Sequence, residues 1–205
     1  RKIMDLSGRG SRGNMSGNNL VFSCSPHPEG STDRAAYLVS KAWEAAGFST
    51  QIIRLRDYRI QGCMGCGECS RTGRCIFSRE DDCQDLFERI RESNRLCFCA
   101  PIYFYHLPAL FKAFIDRSQS IYTDASGYWK AGAKDCPRAK SILLAARKRG
   151  RSLFAGSELT LKYFLFSFGR ELSQIGFYGV ESKADLQDES GENAAKIKAH
   201  VLDDG

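Results

Sequence analysis

Short apolar runs alternate with amphipathic segments along most of this chain, and this alternation restricts the possible folds more than any other feature. The runs lie at 20–24, 48–55, 96–100, 141–146 and 175–180. Each is too short for a typical helix and lies beside turn or polar residues, which predicts a buried strand. Apolar residues at helical spacing predict helices that begin near residues 31, 81, 107, 158 and 190. Strands and helices in this order predict one parallel sheet with helices on both faces.

In such a sheet, ligands bind beyond the carboxyl ends of the strands. The loop after the first predicted strand is small and polar, and it leads into a helix for which Ser31 or Thr32 is a good N-cap and Gly47 a good terminator. Backbone N–H groups and hydroxyls at a helix N-terminus favour a phosphate, although an ordinary capped helix has the same pattern. The loop has no Gly-x-Gly-x-x-Gly motif and no Walker lysine, which disfavours a dinucleotide fingerprint and a P-loop.

Aromatic residues follow the third predicted strand, in the run Pro101-Ile102-Tyr103-Phe104-Tyr105-His106. At the carboxyl end of a strand they suit the wall of a pocket for a flat ring, or else they belong to the core. His106 would assist a proton transfer near such a ring or cap the next helix. More aromatic residues stand in the irregular segment 119–138 and predict a binding surface or a lid, namely Tyr122, Tyr128 and Trp129.

Four of the nine cysteines fall within thirteen residues, between the second strand and the second helix. They are Cys63, Cys66, Cys69 and Cys75, with two, two and five residues between them. Soft thiolates at this spacing suit an iron–sulfur cluster or zinc, and free thiols are a third alternative. Structural zinc sites usually have two separated pairs of ligands, which disfavours zinc. Asp81 and Asp82 open the next helix and are expected to complement its dipole.

Clustered cysteines, odd in number, favour metal or redox chemistry in a reducing compartment over a disulfide framework in a chain of 205 residues. We therefore expect a cytoplasmic protein. Three cysteines in the predicted strands are expected to be small core residues, namely Cys24, Cys97 and Cys99. Cys83 and Cys136 have no predicted role.

Residues 1–18 are rich in Gly, Ser, Asn and Arg, which predicts a flexible tail before a single domain over 19–205. The net charge of +6 is concentrated in this tail and in the basic loop that follows the fourth strand, Arg147-Lys148-Arg149-Gly150-Arg151. A nucleic-acid binder usually spreads its cations along one face, so no nucleic-acid partner is expected. No apolar run approaches the roughly 18 residues of a membrane helix, so no membrane partner is expected.

The helix predicted over 158–172 is apolar almost all round, with Phe164, Phe166 and Phe168 on it. One domain core is not expected to cover such a helix fully. A subunit interface is the simplest explanation, and we expect a homodimer or a homotetramer.

Together these features resemble the NAD(P)H-dependent FMN reductases of the flavodoxin-like fold. The resemblance rests on the first strand with its polar loop, the cysteine loop, Ala100-Pro101-Ile102-Tyr103-Phe104 and Lys112-Ala113-Phe114-Ile115-Asp116-Arg117, in that order. It covers residues 19–182 and implies a five-stranded parallel sheet in the order 2-1-3-4-5. The cysteine spacing is similar to that of the iron–sulfur flavoproteins, which implies that these four cysteines hold a four-iron four-sulfur (4Fe-4S) cluster.

The resemblance also implies roles for the other candidate site residues. The FMN phosphate would be bound by Ser25, His27, Ser31 and Thr32, although His27 stands where the family usually has arginine. The ribityl chain and the isoalloxazine ring would lie against Pro101, Ile102, Tyr103 and Phe104. Arg147 would approach the other edge of the ring, or its basic loop would receive a phosphate of NADPH.

The implied activity is that of an FMN-dependent oxidoreductase, which takes electrons from NADH or NADPH and passes them to a flavin, a quinone or another acceptor. One alternative is an electron-transfer protein in which the cluster takes electrons from a ferredoxin-like partner. A second alternative is a non-enzymatic interaction module of the same fold that lacks FMN. The sequence leaves open the choice between NADH and NADPH, the acceptor and the contents of the cysteine loop.

Overall fold

The computed structural model describes residues 18–122, 138–186 and 188–203. Its five strands are β1 (Asn19–Ser23), β2 (Thr50–Arg54), β3 (Arg95–Pro101), β4 (Arg138–Ala145) and β5 (Glu171–Tyr178). All neighbouring strands pair in parallel, in the order β2-β1-β3-β4-β5. The predicted flavodoxin-like sheet is therefore confirmed. The predicted tail, up to residue 17, lies outside the described residues, as do Tyr128, Trp129 and Cys136.

Helices cover both faces of the sheet, as the alternation predicted. One face packs against α1 (Ser31–Ala45) and α7 (Glu192–Leu202). The other face packs against α3 (Cys83–Glu92), α4 (Ala109–Asp116) and α6 (Ala155–Phe166). Two shorter helices lie in the connecting loops, α2 (Glu68–Thr72) and α5 (Gln119–Tyr122). Among the described helices, none has the length and apolar character to cross a membrane.

The two faces of the central strands have different packing partners. Phe98 of β3 stacks on Phe22 of β1, with ring centroids 4.8 Å apart, in the cluster that also contains α3, α4 and α6. Cys97 and Cys99 point to the opposite cluster and are fully buried, which confirms them as core residues. In that cluster the indole N–H of Trp43 donates to the carbonyl of Val201 at 3.0 Å, which joins α1 to α7. The sheet is thus held rigidly between two apolar layers.

The start of α1 differs from the prediction, whereas its end agrees with it. The N-cap of α1 is Gly30, not Ser31 or Thr32, and no side chain caps the helix. Gly47 ends α1 as predicted. It has a φ of 89°, its N–H donates to Glu44, and the next N–H donates to Trp43. This pair of bonds is a Schellman motif, for which a left-handed glycine is the favoured residue.

The helix predicted over 158–172 ends early, at Phe166. Gly169 has a φ of 65° and repeats the same terminating motif, because its N–H donates to Phe166 and the next N–H donates to Leu165. Leu172 belongs to β5 instead. The apolar pattern continued past the helix because Phe168 and Leu172 pack on the same core cluster as α6.

Candidate functional site

A cavity of about 390 Å³ lies at the carboxyl edge of the sheet, beyond β1, β3 and β4. Its volume is within the range of small-molecule sites, roughly 300–1,000 Å³. Seven of the nine residues predicted to bind FMN line it, namely Ser25, His27, Ser31, Thr32, Pro101, Ile102 and Tyr103. The structure therefore brings the polar loop after β1 and the end of β3 to one cavity, as parallel strands require.

The first turn of α1 forms one wall of this cavity. Its backbone N–H groups have no partners within the helix, and no side chain caps them. Ser25 shapes the loop in front of them, because its hydroxyl oxygen accepts the His27 N–H at 3.1 Å. The uncapped N-terminus of a fifteen-residue helix fits an anionic group such as a phosphate.

A carboxylate in the same turn, that of Asp33, is neutralised by its neighbours. It accepts two hydrogen bonds from Arg56, at 3.0 and 2.7 Å, and others from the Ser23 hydroxyl and the Glu29 N–H. Burial alone would raise the pKa of Asp33, but these hydrogen bonds outweigh burial and hold the pKa below its ordinary value. The Arg56–Asp33 pair thus cancels a negative charge behind the helix N-terminus and joins the first turn of α1 to the segment that follows β2. No local pattern in the sequence predicts this pair, because its members are 23 residues apart.

The loop after β5 closes the opposite side of the cavity and was not predicted to do so. It contributes Val180, Glu181, Ser182 and Lys183. Asp185 accepts the N–H of Ser182 at 2.9 Å, and the Ser182 hydroxyl accepts the N–H of Ala184 at 3.2 Å. This capping box fixes the loop at the start of a short 3₁₀ helix (Lys183–Leu186). The Ser-x-x-Asp pattern at 182–185 was a usable sequence signal for it.

An aromatic hairpin stands beside the cavity. Tyr103 and His106 exchange two backbone hydrogen bonds of 2.9 Å, so Phe104 and Tyr105 form a two-residue turn. Both turn residues have positive φ, 49° and 65°, a conformation that costs each about 1–2 kcal/mol. Phe104 is fully exposed, and it is not among the residues that line the cavity. We refer to 103–106 as the aromatic hairpin.

Arg147 contacts this hairpin and is not among the residues that line the cavity. Its guanidinium donates to the Tyr105 hydroxyl at 2.5 Å and lies 5.5 Å from the ring centroid. His106 does not cap α4, whose N-cap is Pro108. Its Nδ1 accepts the adjacent Leu107 N–H, and its Nε2 lies 3.2 Å from the Thr160 hydroxyl on α6. The hairpin is therefore held to both α6 and the basic loop.

The four clustered cysteines line a second cavity, of about 160 Å³, which we call the cysteine pocket. The loop that carries them contains the short helix α2, which lies between Gly67 and Gly73. Both glycines have a left-handed backbone, with φ of 76° and 73°, and the chain turns sharply at each. Cys63 and Cys66 are exposed, Cys69 and Cys75 are half-buried, and all are free thiols. In the part of the chain that the structure describes, no three His, Cys, Asp or Glu side chains are grouped closely enough to hold a metal ion. The four thiols share one cavity, and their chemistry suits a soft metal centre.

A buried ion pair holds the base of the cysteine loop. Asp81 pairs with Arg117, and the two side chains are 0% and 2% exposed. Asp81 also accepts the N–H of Gln61 at 2.9 Å, two residues before the first clustered cysteine, while Arg117 donates to the Gln61 carbonyl at 2.9 Å. Burial raises the pKa of Asp81, but the hydrogen bonds from Arg117 and the backbone outweigh it and lower the pKa. Asp81 also accepts the N–H of Cys83, the first residue of α3, which fits its predicted place at the start of that helix. The ion pair with Arg117 is a further role, which was not predicted.

Residues 18–151 match the family model described as NADPH-dependent FMN reductase. The match covers more than half of the chain, and the chain therefore belongs to this family of reductases. The resemblance seen in the sequence is confirmed.

Several curated relatives bear the name iron–sulfur flavoprotein. One, from Methanocaldococcus jannaschii, is 30% identical over 102 residues, which are 50% of this chain and 52% of that protein. Another, from Methanosarcina thermophila, is 30% identical over 84 residues, which are 40% of this chain and 43% of that protein. The matches thus cover about half or less of these relatives.

A solved structure described as the NAD(P)H:quinone oxidoreductase from Methanothermobacter marburgensis superposes on this chain with a TM-score of 0.66. The superposition covers 90% of this chain and 94% of that one, at 18% sequence identity. At this level of identity the comparison supports the fold.

Replacement of Asp81 by Asn should lower the free energy of unfolding by about 3–5 kcal/mol, because it leaves the Arg117 charge buried without a counter-charge. Urea unfolding at neutral pH measures the difference. Asp116→Asn is the matched control, since Asp116 forms an exposed pair with Lys112 and should contribute less than about 1 kcal/mol.

The ion pair between Asp81 and Arg117 also predicts how the free energy of unfolding depends on pH. The pKa of Asp81 is lowered in the folded state, so its contribution is complete at neutral pH and is lost as the pH falls below the ordinary aspartate value of about 3.9. The stability difference between wild type and Asp81→Asn should therefore shrink in acid. A difference that stays constant down to about pH 2 would contradict this assignment.

Proposed function

We propose that this protein is an FMN-dependent oxidoreductase that takes electrons from NADPH or NADH and passes them to a flavin, a quinone or another acceptor. The observation that carries the proposal is the cavity at the carboxyl edge of the sheet. There the uncapped N-terminus of α1 meets the aromatic end of β3. A phosphate suits the first of these features and a flat ring suits the second. The description of the family to which the chain belongs names NADPH as the donor and FMN as the flavin.

In this proposal the chain's own residues bind and orient the cofactor. Ser25, His27, Ser31 and Thr32 hold the phosphate, and Pro101, Ile102 and Tyr103 lie along the ribityl chain and the ring. When bound, FMN supplies the hydride and electron chemistry, so the protein need not provide an acid or base. The aromatic hairpin, with Phe104 exposed at its tip and Arg147 against Tyr105, stands beside the cavity and contributes Tyr103 to its wall. The basic loop that contains Arg147 offers cations for a nicotinamide nucleotide phosphate.

We also propose that Cys63, Cys66, Cys69 and Cys75 hold a 4Fe-4S cluster. Their spacing, their shared cavity and the names of the relatives, iron–sulfur flavoproteins, support this assignment. Clustered cysteines favour metal or redox chemistry in a reducing compartment, and we propose a cytoplasmic location on this ground. Cluster assembly requires the loop to draw the thiols together, and the loop has the glycine turns and the exposure that such a movement needs.

The exposure of Cys63 and Cys66 favours a second candidate function, that of an electron-transfer protein. A cluster held there would lie at the surface, where a ferredoxin-like partner can exchange single electrons with it. Rapid oxidation of NADPH or NADH by the purified, FMN-loaded protein with a quinone as acceptor supports the first function. Reduction by a ferredoxin, without any turnover of nicotinamide nucleotide, supports the second.

Replacement of Ser31 by Glu should weaken FMN binding by at least about tenfold, because it places a carboxylate where the phosphate is proposed to lie. Quenching of flavin fluorescence during a titration measures the dissociation constant. Ser49→Glu introduces the same change before β2, at the opposite edge of the sheet, and should leave FMN binding unchanged. Equal affinity in wild type and Ser31→Glu would contradict the proposed phosphate site.

We further propose that α6 contributes to an interface between copies of this chain, in a homodimer or a homotetramer. Leu161, Phe164 and Leu165 are buried in the core, but Leu159 and Tyr163 are 58% and 50% exposed. These two exposed residues lie one turn apart and form an apolar stripe on the outer face of the helix. Burial of this stripe in a partner copy would explain why α6 is apolar nearly all round.

Replacement of Leu159 by Glu should shift the protein to a smaller species, because a charge on the stripe opposes its burial. Light scattering coupled to size exclusion measures the mass. Tyr37→Glu, at an exposed aromatic residue of α1 on the other face of the sheet, should leave the mass unchanged. An unchanged mass for Leu159→Glu would refute the interface.

A further inference from the structure

Arg117 has a position that its role at the base of the cysteine loop does not fully explain. It follows the last residue of α4, is 3% exposed, and forms part of the wall of the cysteine pocket. One side of its guanidinium is occupied, because Nη1 donates to the Gln61 carbonyl and both terminal nitrogens contact Asp81. The Nε–H is buried and has no acceptor among the described residues.

A buried N–H without an acceptor is rare in folded proteins and indicates a missing partner. The orientation of this N–H is fixed, since the Asp81 carboxylate holds the end of the guanidinium and the Phe77 ring lies 5.2 Å from its central carbon. Two cysteine thiols are among the charged or ionisable groups near Arg117. Burial lowers the pKa of Arg117, but Asp81 and the Cys83 and Cys75 thiols raise it above its ordinary value. Of these two thiols, Cys75 belongs to the four that line the pocket.

We propose that Arg117 is a positioning residue for the iron–sulfur centre, and that its free Nε–H donates a hydrogen bond to the sulfur of Cys75 when the centre is assembled. This inference rests on the proposed cluster. Hydrogen bonds to ligand sulfurs stabilise the reduced, more negative state of a cluster and raise its reduction potential. Asp81 would then have a second task, since it fixes the direction in which the Nε–H points.

The test compares cluster potentials in full-length protein purified and reconstituted without oxygen. Arg117→Lys keeps a positive charge for Asp81 but has no N–H at the Nε position. We expect this variant to retain its iron and to shift the reduction equilibrium of the cluster about tenfold towards the oxidised state. For a one-electron couple that shift is about 59 mV to lower potential. The flavin potential should not change.

Arg71→Lys is the matched control. Arg71 lies in the same loop, between Cys69 and Cys75, and its exposed side chain pairs with Glu68. The same chemical change there should leave the cluster potential unchanged. An unchanged potential in Arg117→Lys, with its iron intact, would overturn the inference.

A second measurement needs no variant. Wild-type protein labelled with ¹⁵N-arginine should show a ¹⁵N coupling to the reduced cluster in pulsed EPR spectra, and the absence of that coupling would overturn the inference. Failure of the proposed role of Arg117 is distinguishable from failure of the proposed cluster. Wild-type protein that binds no iron overturns both, whereas iron without the coupling or the potential shift overturns only the role of Arg117.

Discussion

The buried ion pair between Asp81 and Arg117 is the interaction on which the arrangement of the cysteine loop depends. No apolar residue from 59 to 82 is fully buried, and in this segment only Ile60 packs against the domain core, so apolar packing does little to hold the segment against the domain. Its two ends are instead tied by hydrogen bonds that converge on Asp81, Asp82 and Arg117. A buried ion pair adds little net stability over an apolar pair of similar size. We therefore interpret it as a device that specifies where the loop lies, at the junction of α3 and α4.

The parallel sheet supplies the second constraint. Because every strand runs in the same direction, the loops after β1, β3, β4 and β5 meet at one edge and form one cavity. The strong burial of β1, β3 and β4 fixes that edge, and the Arg56–Asp33 pair prepares the helix N-terminus there for an anion. A rigid sheet thus carries the proposed flavin site, while a loop with little apolar packing carries the proposed cluster. A flavin accepts two electrons and a cluster accepts one, so a chain with both would connect hydride donors to one-electron carriers.

Local patterns in the sequence were sufficient for the parallel sheet with helices on both faces, the core cysteines and the Gly47 terminus. The strand order and most of the cavity wall followed from the resemblance to the FMN reductases. Prediction from the sequence failed where a contact joins residues that are distant in the chain, and where two neighbouring elements have one continuous apolar pattern. Asp81 and Arg117 are 36 residues apart, and their pairing leaves no mark on either segment. Leu172 continued the apolar pattern of α6 although it lies in β5, because both elements pack on the same cluster. The roles of Phe104 and Arg147 depended on side-chain direction, which the hairpin geometry determines and the sequence does not encode locally.

The absorbance spectrum of protein purified without oxygen tests whether one chain holds both FMN and an iron–sulfur cluster. Iron, sulfide and flavin are assayed on the same sample. We expect flavin bands over a broad shoulder, with about four irons per chain. Flavin bands without iron would contradict the claim for the cysteine loop, and a colourless protein that cannot be reconstituted with FMN would contradict it for the cavity as well.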